Sequence, residues 1–203
     1  MARALEAHYH HAATLEAVFL ERYSEGHGGM RVESGRVYFS KPGRMRWDYE
    51  SPQSKLFLVD GHNAWFYVPA DRTASRAKVK ESSDWRTPLA LLMGKSELSH
   101  LCRSIDFAPA DVDKEARPST SGSVVLRCTP KDEGRESFHE ILLEVDPSDH
   151  LVRVLVREPG DIETEFRFGN WQENIPLPES TFHFEPPEGV AIVDQSALAG
   201  AVH

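Results

Sequence analysis

The sequence predicts a mainly β fold with some helix: an antiparallel sheet carrying a short helical cap. Three observations predict it. Apolar residues alternate through Met45, Trp47 and Tyr49, with Arg44, Arg46 and Asp48 between them, the period of a strand with one apolar face. Asp60-Gly61 stands between two β-rich runs, Leu56 to Val59 and Ala64 to Val68, which signals a hairpin because Gly tolerates positive φ at little cost. A Leu- and Met-rich stretch near residues 87–93 then interrupts the strands, and short alternating runs resume after it.

Residues 2–13 read as a helix, Ala-rich with Leu5, Tyr9 and Ala12 at three- and four-residue spacing. From Leu15 the pattern fits both periods: Leu15, Phe19 and Tyr23 suit a helix, whereas Leu15, Ala17 and Phe19 alternate like a strand. A turn at residues 25–29 leads to a strand from Met30 to Ser40, and Lys41-Pro42-Gly43 turns the chain into the aromatic meander of residues 41–68. Pro69-Ala70-Asp71 ends the meander, and Arg76 to Lys80 is a short charged strand. Asp84 or Thr87 can cap a helix with Pro88 in its first turn, and a second short helix covers Lys95 to Arg103. Strands follow at Ile105 to Ala108, Val124 to Cys128, Phe138 to Val145, Leu151 to Arg157 and Ile162 to Asn170, with a polar loop from Asp111 to Ser123. The tail, Phe182 to Val193, is expected along a sheet edge. Glu140, Glu144, Arg153 and Arg157 read as the wet face of a half-buried sheet.

At 203 residues the chain fits a single domain, 1–203, with the helical insertion at about 84–103. The formal charge of -9 argues against nonspecific nucleic-acid binding and against docking on an anionic membrane. No run approaches the roughly 20 apolar residues of a membrane span, and the N-terminus has no apolar core of signal-peptide length. The chain reads as soluble, either cytoplasmic or the mature part of an exported protein. Cys102 and Cys128 lack CxxC spacing and read as two buried thiols, with a bridge open to them only in an oxidising compartment.

Catalytic and cofactor signatures do not emerge. His8, His10 and His11 crowd the first helix, but a metal site needs a further ligand aimed there and the sequence offers none, so they read as a solvated face. There is no GxSxG elbow, P-loop or GxGxxG. The reading is therefore of no enzyme, no metal and no cofactor. Acidic pairs such as Asp132-Glu133 read as solvated turns.

In order, the motifs SKPGRMRWDYESP, DGHNAWFYVP, TPLALLMG and FHFEPPEGVAI resemble the outer-membrane lipoprotein carrier family, over most of the chain. The resemblance implies an incomplete antiparallel β-barrel with an N-terminal helix and a helical lid across its open concave side. It also implies a first helix ending near Thr14 and a first strand from about Leu15 to Ser24. The implied function is a periplasmic chaperone that takes acylated lipoproteins from an inner-membrane ABC transporter to an outer-membrane receptor, acting as a monomer. On that reading Met45, Trp47, Tyr49, Phe57, Trp65 and Tyr67 floor an acyl-chain cavity. Leu89, Leu91, Leu92, Met93 and Leu98 form the lid. Lys41 takes the place of the family's usual Arg in lid contacts and cargo transfer, with Arg44 available to share the task. Lys cannot copy the forked hydrogen bonds of Arg. The competing readings are ordinary core packing for the aromatics, a lipid-binding envelope sensor, and a hydrolase whose helical insertion is a lid.

Overall fold

The computed structural model describes residues 1–26, 28–79, 92, 98–111, 113–131 and 138–194. Its first helix, α1 (Ala2–His11), buries Leu5 and Tyr9, four residues apart on one face. The ambiguity that follows resolves toward extended chain. β1 (Thr14–Glu25) buries Leu15, Ala17 and Phe19 in strict alternation, because it gains a partner on both edges. β2 (Arg31–Ser40), β3 (Arg44–Ser51), β4 (Lys55–Val59), β5 (Asn63–Val68) and β6 (Thr73–Lys78) continue as an antiparallel meander. The peptide bonds before Pro42 and Pro52 are cis. After α2 (Leu98–Leu101) come β7 (Cys102–Phe107), β8 (Val124–Pro130), β9 (Glu140–Val145), β10 (Leu151–Glu158), β11 (Ile162–Glu173) and β12 (Ala191–Asp194).

The described strands form one sheet in the order β12-β6-β5-β4-β3-β2-β1-β11-β10-β9-β8-β7. Every pairing is antiparallel except β12 with β6. The end strands β12 and β7 do not pair with each other, so the sheet is unclosed. β1 joins the two halves by pairing with β2 on one side and β11 on the other.

The sheet has two unlike faces. The inner face carries α1 and buries one cluster drawn from β1 to β5 and β7 to β11, with Leu92 and Leu98 in it. The outer face is covered twice. Over β3 to β5 the chain after β11 returns, burying Phe182 and packing Leu177 and Phe184 against Leu56, Leu58, Trp65 and Tyr67. Over β8 to β10, Ala108 packs on Val125, Leu142 and Leu155, while Asp113, Glu115 and Ser119 bond to side chains of β9 and β10. The expected edge position of the tail holds for Ala191–Asp194, which lies along β6, while the residues before it cross the outer face instead.

Three expectations are corrected here. The helix expected over Lys95 to Arg103 stops at Leu101 among the described residues, because pairing with β8 draws Cys102–Phe107 into a strand. Cys102 and Cys128 are joined in a disulfide between β7 and β8, with Cα atoms 5.4 Å apart, and so are not free thiols. The late-strand charges are not a wet face. Glu144 and Arg153 are fully buried, with Arg153 Nε 2.9 Å from Glu144 Oε2. The Ser119 and Thr120 amides donate to Glu144 at 2.7 and 3.1 Å. Arg157 similarly bridges Asp113, Glu140 and Glu163. Charges can be buried at low cost only when paired and hydrogen-bonded, as these are. The cap-helix start and the Asp132-Glu133 pair lie outside the described residues.

Candidate functional site

On the inner face the sheet's pleat gathers an aromatic cluster around Trp47. Phe19 meets it edge-on at 4.7 Å between ring centroids, Phe166 at 5.3 Å and Phe39 at 6.2 Å. Phe168 stands 6.1 Å away and stacks on Phe166. Trp47 is fully buried, and its indole Nε1 finds no hydrogen-bond acceptor among the described residues. An unmet buried N–H of that kind costs about 1–3 kcal/mol. At one end of the cluster the buried Tyr49 hydroxyl donates to Glu21 Oε2 at 2.7 Å, and Phe19 packs against its ring at 5.0 Å.

Gly35 makes this packing possible. It lies between Phe19 and Tyr49 in the strand register, beside an irregularity in the β2–β3 ladder. A Cβ built there would sit 1.9 Å from the carbonyl oxygen of Asp48. Only Gly lets the backbones approach this closely.

The structure divides the six expected floor residues between the two faces. Met45, Trp47, Tyr49 and Phe57 belong to the inner cluster. Trp65 and Tyr67 belong to the outer one, where Phe184 stands 5.5 and 5.2 Å from their rings. The cause is the hairpin: Val59 pairs with Ala64, so Phe57 faces Phe66, and Trp65 falls on the opposite side of the pleat. Phe66, absent from the expected floor, keeps 36% exposure beside Phe57. A recess of about 510 Å³ opens between Tyr49, Leu56, Tyr67 and Phe184, at the rim and outer side of the sheet.

Of the expected lid residues, Leu92 and Leu98 are buried in the inner cluster. Leu89, Leu91 and Met93 lie outside the described residues. The Leu98 amide donates to Glu6 Oε1 at 2.7 Å, which ties α2 to α1. Lys41 and Arg44 do not come together. Arg44 faces outward, pairing with Glu179 and lying over the Phe182 ring at 5.1 Å. The Lys41 ammonium is buried, with no hydrogen-bond partner among the described residues. Burial pushes its pKa down, against the pull of the Glu173 carboxylate.

Glu173 belongs to a group that the sequence did not reveal. His8 is not on a solvated face: its Nε2 lies 2.6 Å from Glu173 Oε1, and His150 Nε2 approaches the same oxygen at 3.4 Å. His8 and His150 stand 142 positions apart, and only the β1–β11 pairing with α1 above it unites them with Glu173. No local spacing could have signalled it. Beside them, the Leu151 amide donates to the buried Tyr9 hydroxyl at 2.8 Å, and burial pushes that phenol's pKa up.

Comparisons with known proteins agree with this architecture. The family model "Outer membrane lipoprotein carrier protein LolA" matches residues 10–185. An outer-membrane lipoprotein carrier protein from Nitrosomonas europaea is 29% identical over 166 residues, which are 81% of this chain and 74% of that protein. One from Xanthomonas campestris pv. campestris is 28% identical over 180 residues, 88% of this chain and 81% of the relative. An uncharacterized conserved protein from Thermus thermophilus shares the fold, with a TM-score of 0.60 at 10% identity, covering 95% of this chain and 98% of its own. The match across residues 10–185 takes in strands β1 to β11 with the inner aromatic face, and on that ground the chain belongs to the outer membrane lipoprotein carrier protein LolA family.

Proposed function

We propose that this protein is a periplasmic, non-enzymatic carrier that shields the acyl chains of lipoproteins on their way from the inner to the outer membrane. It would receive them from an inner-membrane ABC transporter and release them to an outer-membrane receptor. The observation that carries this reading is the inner face: an aromatic, apolar surface over which the described residues place α1, Leu92 and α2.

Each acyl methylene left in water costs about 0.8 kcal/mol, so two or three full chains require an apolar host of comparable extent. Acyl chains entering over Met45, Trp47 and Phe57 replace the side chains of Leu92 and Leu98, exchanging one apolar contact for another. Phe66, half-exposed beside Phe57, offers a first apolar step. Trp47 Nε1 is a ready donor for an acyl-ester carbonyl, which would relieve its unmet hydrogen bond. Lys41, without a hydrogen-bond partner among the described residues, is the residue we assign to the contacts that hold the cap closed. Arg44 is already engaged with Glu179 on the outer face and is not needed for that task. The Cys102–Cys128 bridge supports an oxidising, exported location.

The test uses protein recovered from a Gram-negative periplasm and a synthetic diacylated lipopeptide. Native mass spectrometry should find a one-to-one complex, and acyl binding should perturb Trp fluorescence. Leu92→Asp should weaken lipopeptide binding at least about tenfold while lowering the urea midpoint only modestly. No binding by the wild type, or equal losses of binding and stability, would show that the inner face is merely a core.

A further inference from the structure

We propose that His8, His150 and Glu173 form a site for one divalent transition-metal ion of the zinc class, which clasps α1 to the sheet. The three residues come from separate places in the fold: His8 from α1, His150 from the turn just before β10, and Glu173 from the last position of β11. One donor atom from each lies within 4.8 Å of the other two. The two imidazoles stand edge to face, 5.2 Å between centroids, both turning Nε2 toward Glu173. All three are partly buried.

Ligand distances support the assignment. Zinc holds imidazole nitrogen at about 2.0–2.1 Å and carboxylate oxygen at about 2.0–2.2 Å, so tetrahedral neighbours lie roughly 3.3 Å apart. The 3.4 Å between His150 Nε2 and Glu173 Oε1 meets that spacing already. The 2.6 Å hydrogen bond from His8 opens by less than an ångström to admit the ion.

The surroundings of His150 carry the argument further. Its Nδ1 lies 3.3 Å from Asp146 Oδ2. Asp146 Oδ1 is itself fixed by the amides of Ser148 and His150, at 2.8 and 2.9 Å. A carboxylate behind one ring nitrogen places the proton there and leaves the lone pair on the other. That lone pair on Nε2 then faces the carboxylate oxygen of Glu173, one acceptor against another. A cation resolves the conflict and takes a lone pair from both histidines at once. Two imidazoles and one carboxylate suit zinc, cobalt or nickel rather than the oxygen-seeking calcium or magnesium, and three protein ligands leave a fourth position open.

The consequence is mechanical. Tyr9, next to His8, seals the inner face from α1 and is bonded to Leu151, next to His150. An ion at this point pins the helix end that must lift if the inner face is to open. The assignment of the site does not depend on what the inner face binds.

Metal-free full-length protein is titrated with zinc chloride by calorimetry and with cobalt chloride by visible absorption. One equivalent should bind, with the intense absorption of tetrahedral cobalt and a higher melting temperature. His150→Ala and Glu173→Gln should each weaken binding at least about tenfold, and Asp146→Asn, which touches no ion, by about ten- to hundredfold. The double variant His10→Ala/His11→Ala, altering exposed histidines outside the site, should bind as the wild type does. Absence of binding would overturn the proposal. So would binding that survives His150→Ala and disappears with His10 and His11, since it would then belong to the exposed helix end.

Discussion

At Gly35 a single methyl group decides whether the inner face can form. A side chain there must push the Asp48 carbonyl away, and with it the β3 segment that carries Trp47 and Tyr49. Gly35→Ala is therefore expected to cost at least about 2–3 kcal/mol, toward the upper end for overpacking, because the obstacle is backbone and cannot rotate aside. Urea denaturation checks it: the midpoint should fall and the Phe19–Tyr49 contact should loosen in near-ultraviolet circular dichroism. The sequence showed that this stretch was an aromatic meander, yet not which aromatics pointed inward. Trp47 and Trp65 looked equivalent because each sits in a strand of alternating character. Their parity is set by the loop between Val59 and Ala64, whose length puts Phe66, not Trp65, across from Phe57. A register count through that hairpin was the available signal. For His8, Glu173 and His150 there was none.

Between elements, the β7–β8 pair shows what alternation alone cannot reveal. Periodicity located strands β8 to β11 within a few residues, but a wet face and a face covered by a polar loop carry the same alternating charges. Burial of Glu144 with Arg153 depends on residues 115–120 lying over them, a stretch with no period to read. The disulfide closes the same stretch, spanning 26 positions from Cys102 to Cys128. Constraining a loop of that length in the unfolded chain contributes about 3–4 kcal/mol by loop-closure entropy. The Cys102→Ser/Cys128→Ser variant is accordingly expected to lose about 2–4 kcal/mol of unfolding free energy, measured by urea titration, with far-ultraviolet circular dichroism unchanged. An intact midpoint after reduction would place the stability of this end in the ion pairs instead. The bridge joins neighbouring strands at the sheet's end, and both of its cysteines lie in the inner core cluster that holds Trp47.

Over the whole molecule, one sheet serves two covers on its outer side and, among the described residues, α1, Leu92 and α2 on its inner side. The outer covers are held by hydrogen bonds and paired charges: Arg46 donates to the Thr181 carbonyl at 3.1 Å, and Arg157 reaches Asp113 at 2.7 Å. On the inner side apolar contacts are joined by three polar ties, His8 to Glu173, the Leu151 amide to Tyr9 and the Leu98 amide to Glu6. The arrangement also sets how the chain must fold. β1 finds β2 quickly, a short turn away, but its other edge waits for β11, and the Thr14 hydroxyl donates to a carbonyl 161 positions later. Loop-closure entropy has to be overcome before such distant pairing gives any return, so refolding is expected on the millisecond-to-second scale, which stopped-flow Trp fluorescence can time. During synthesis, a nascent chain ending short of residue 162 presents Leu15 to Tyr23 as an open, apolar strand edge. That edge is a template for mispairing with other chains until the last long strand arrives to cover it.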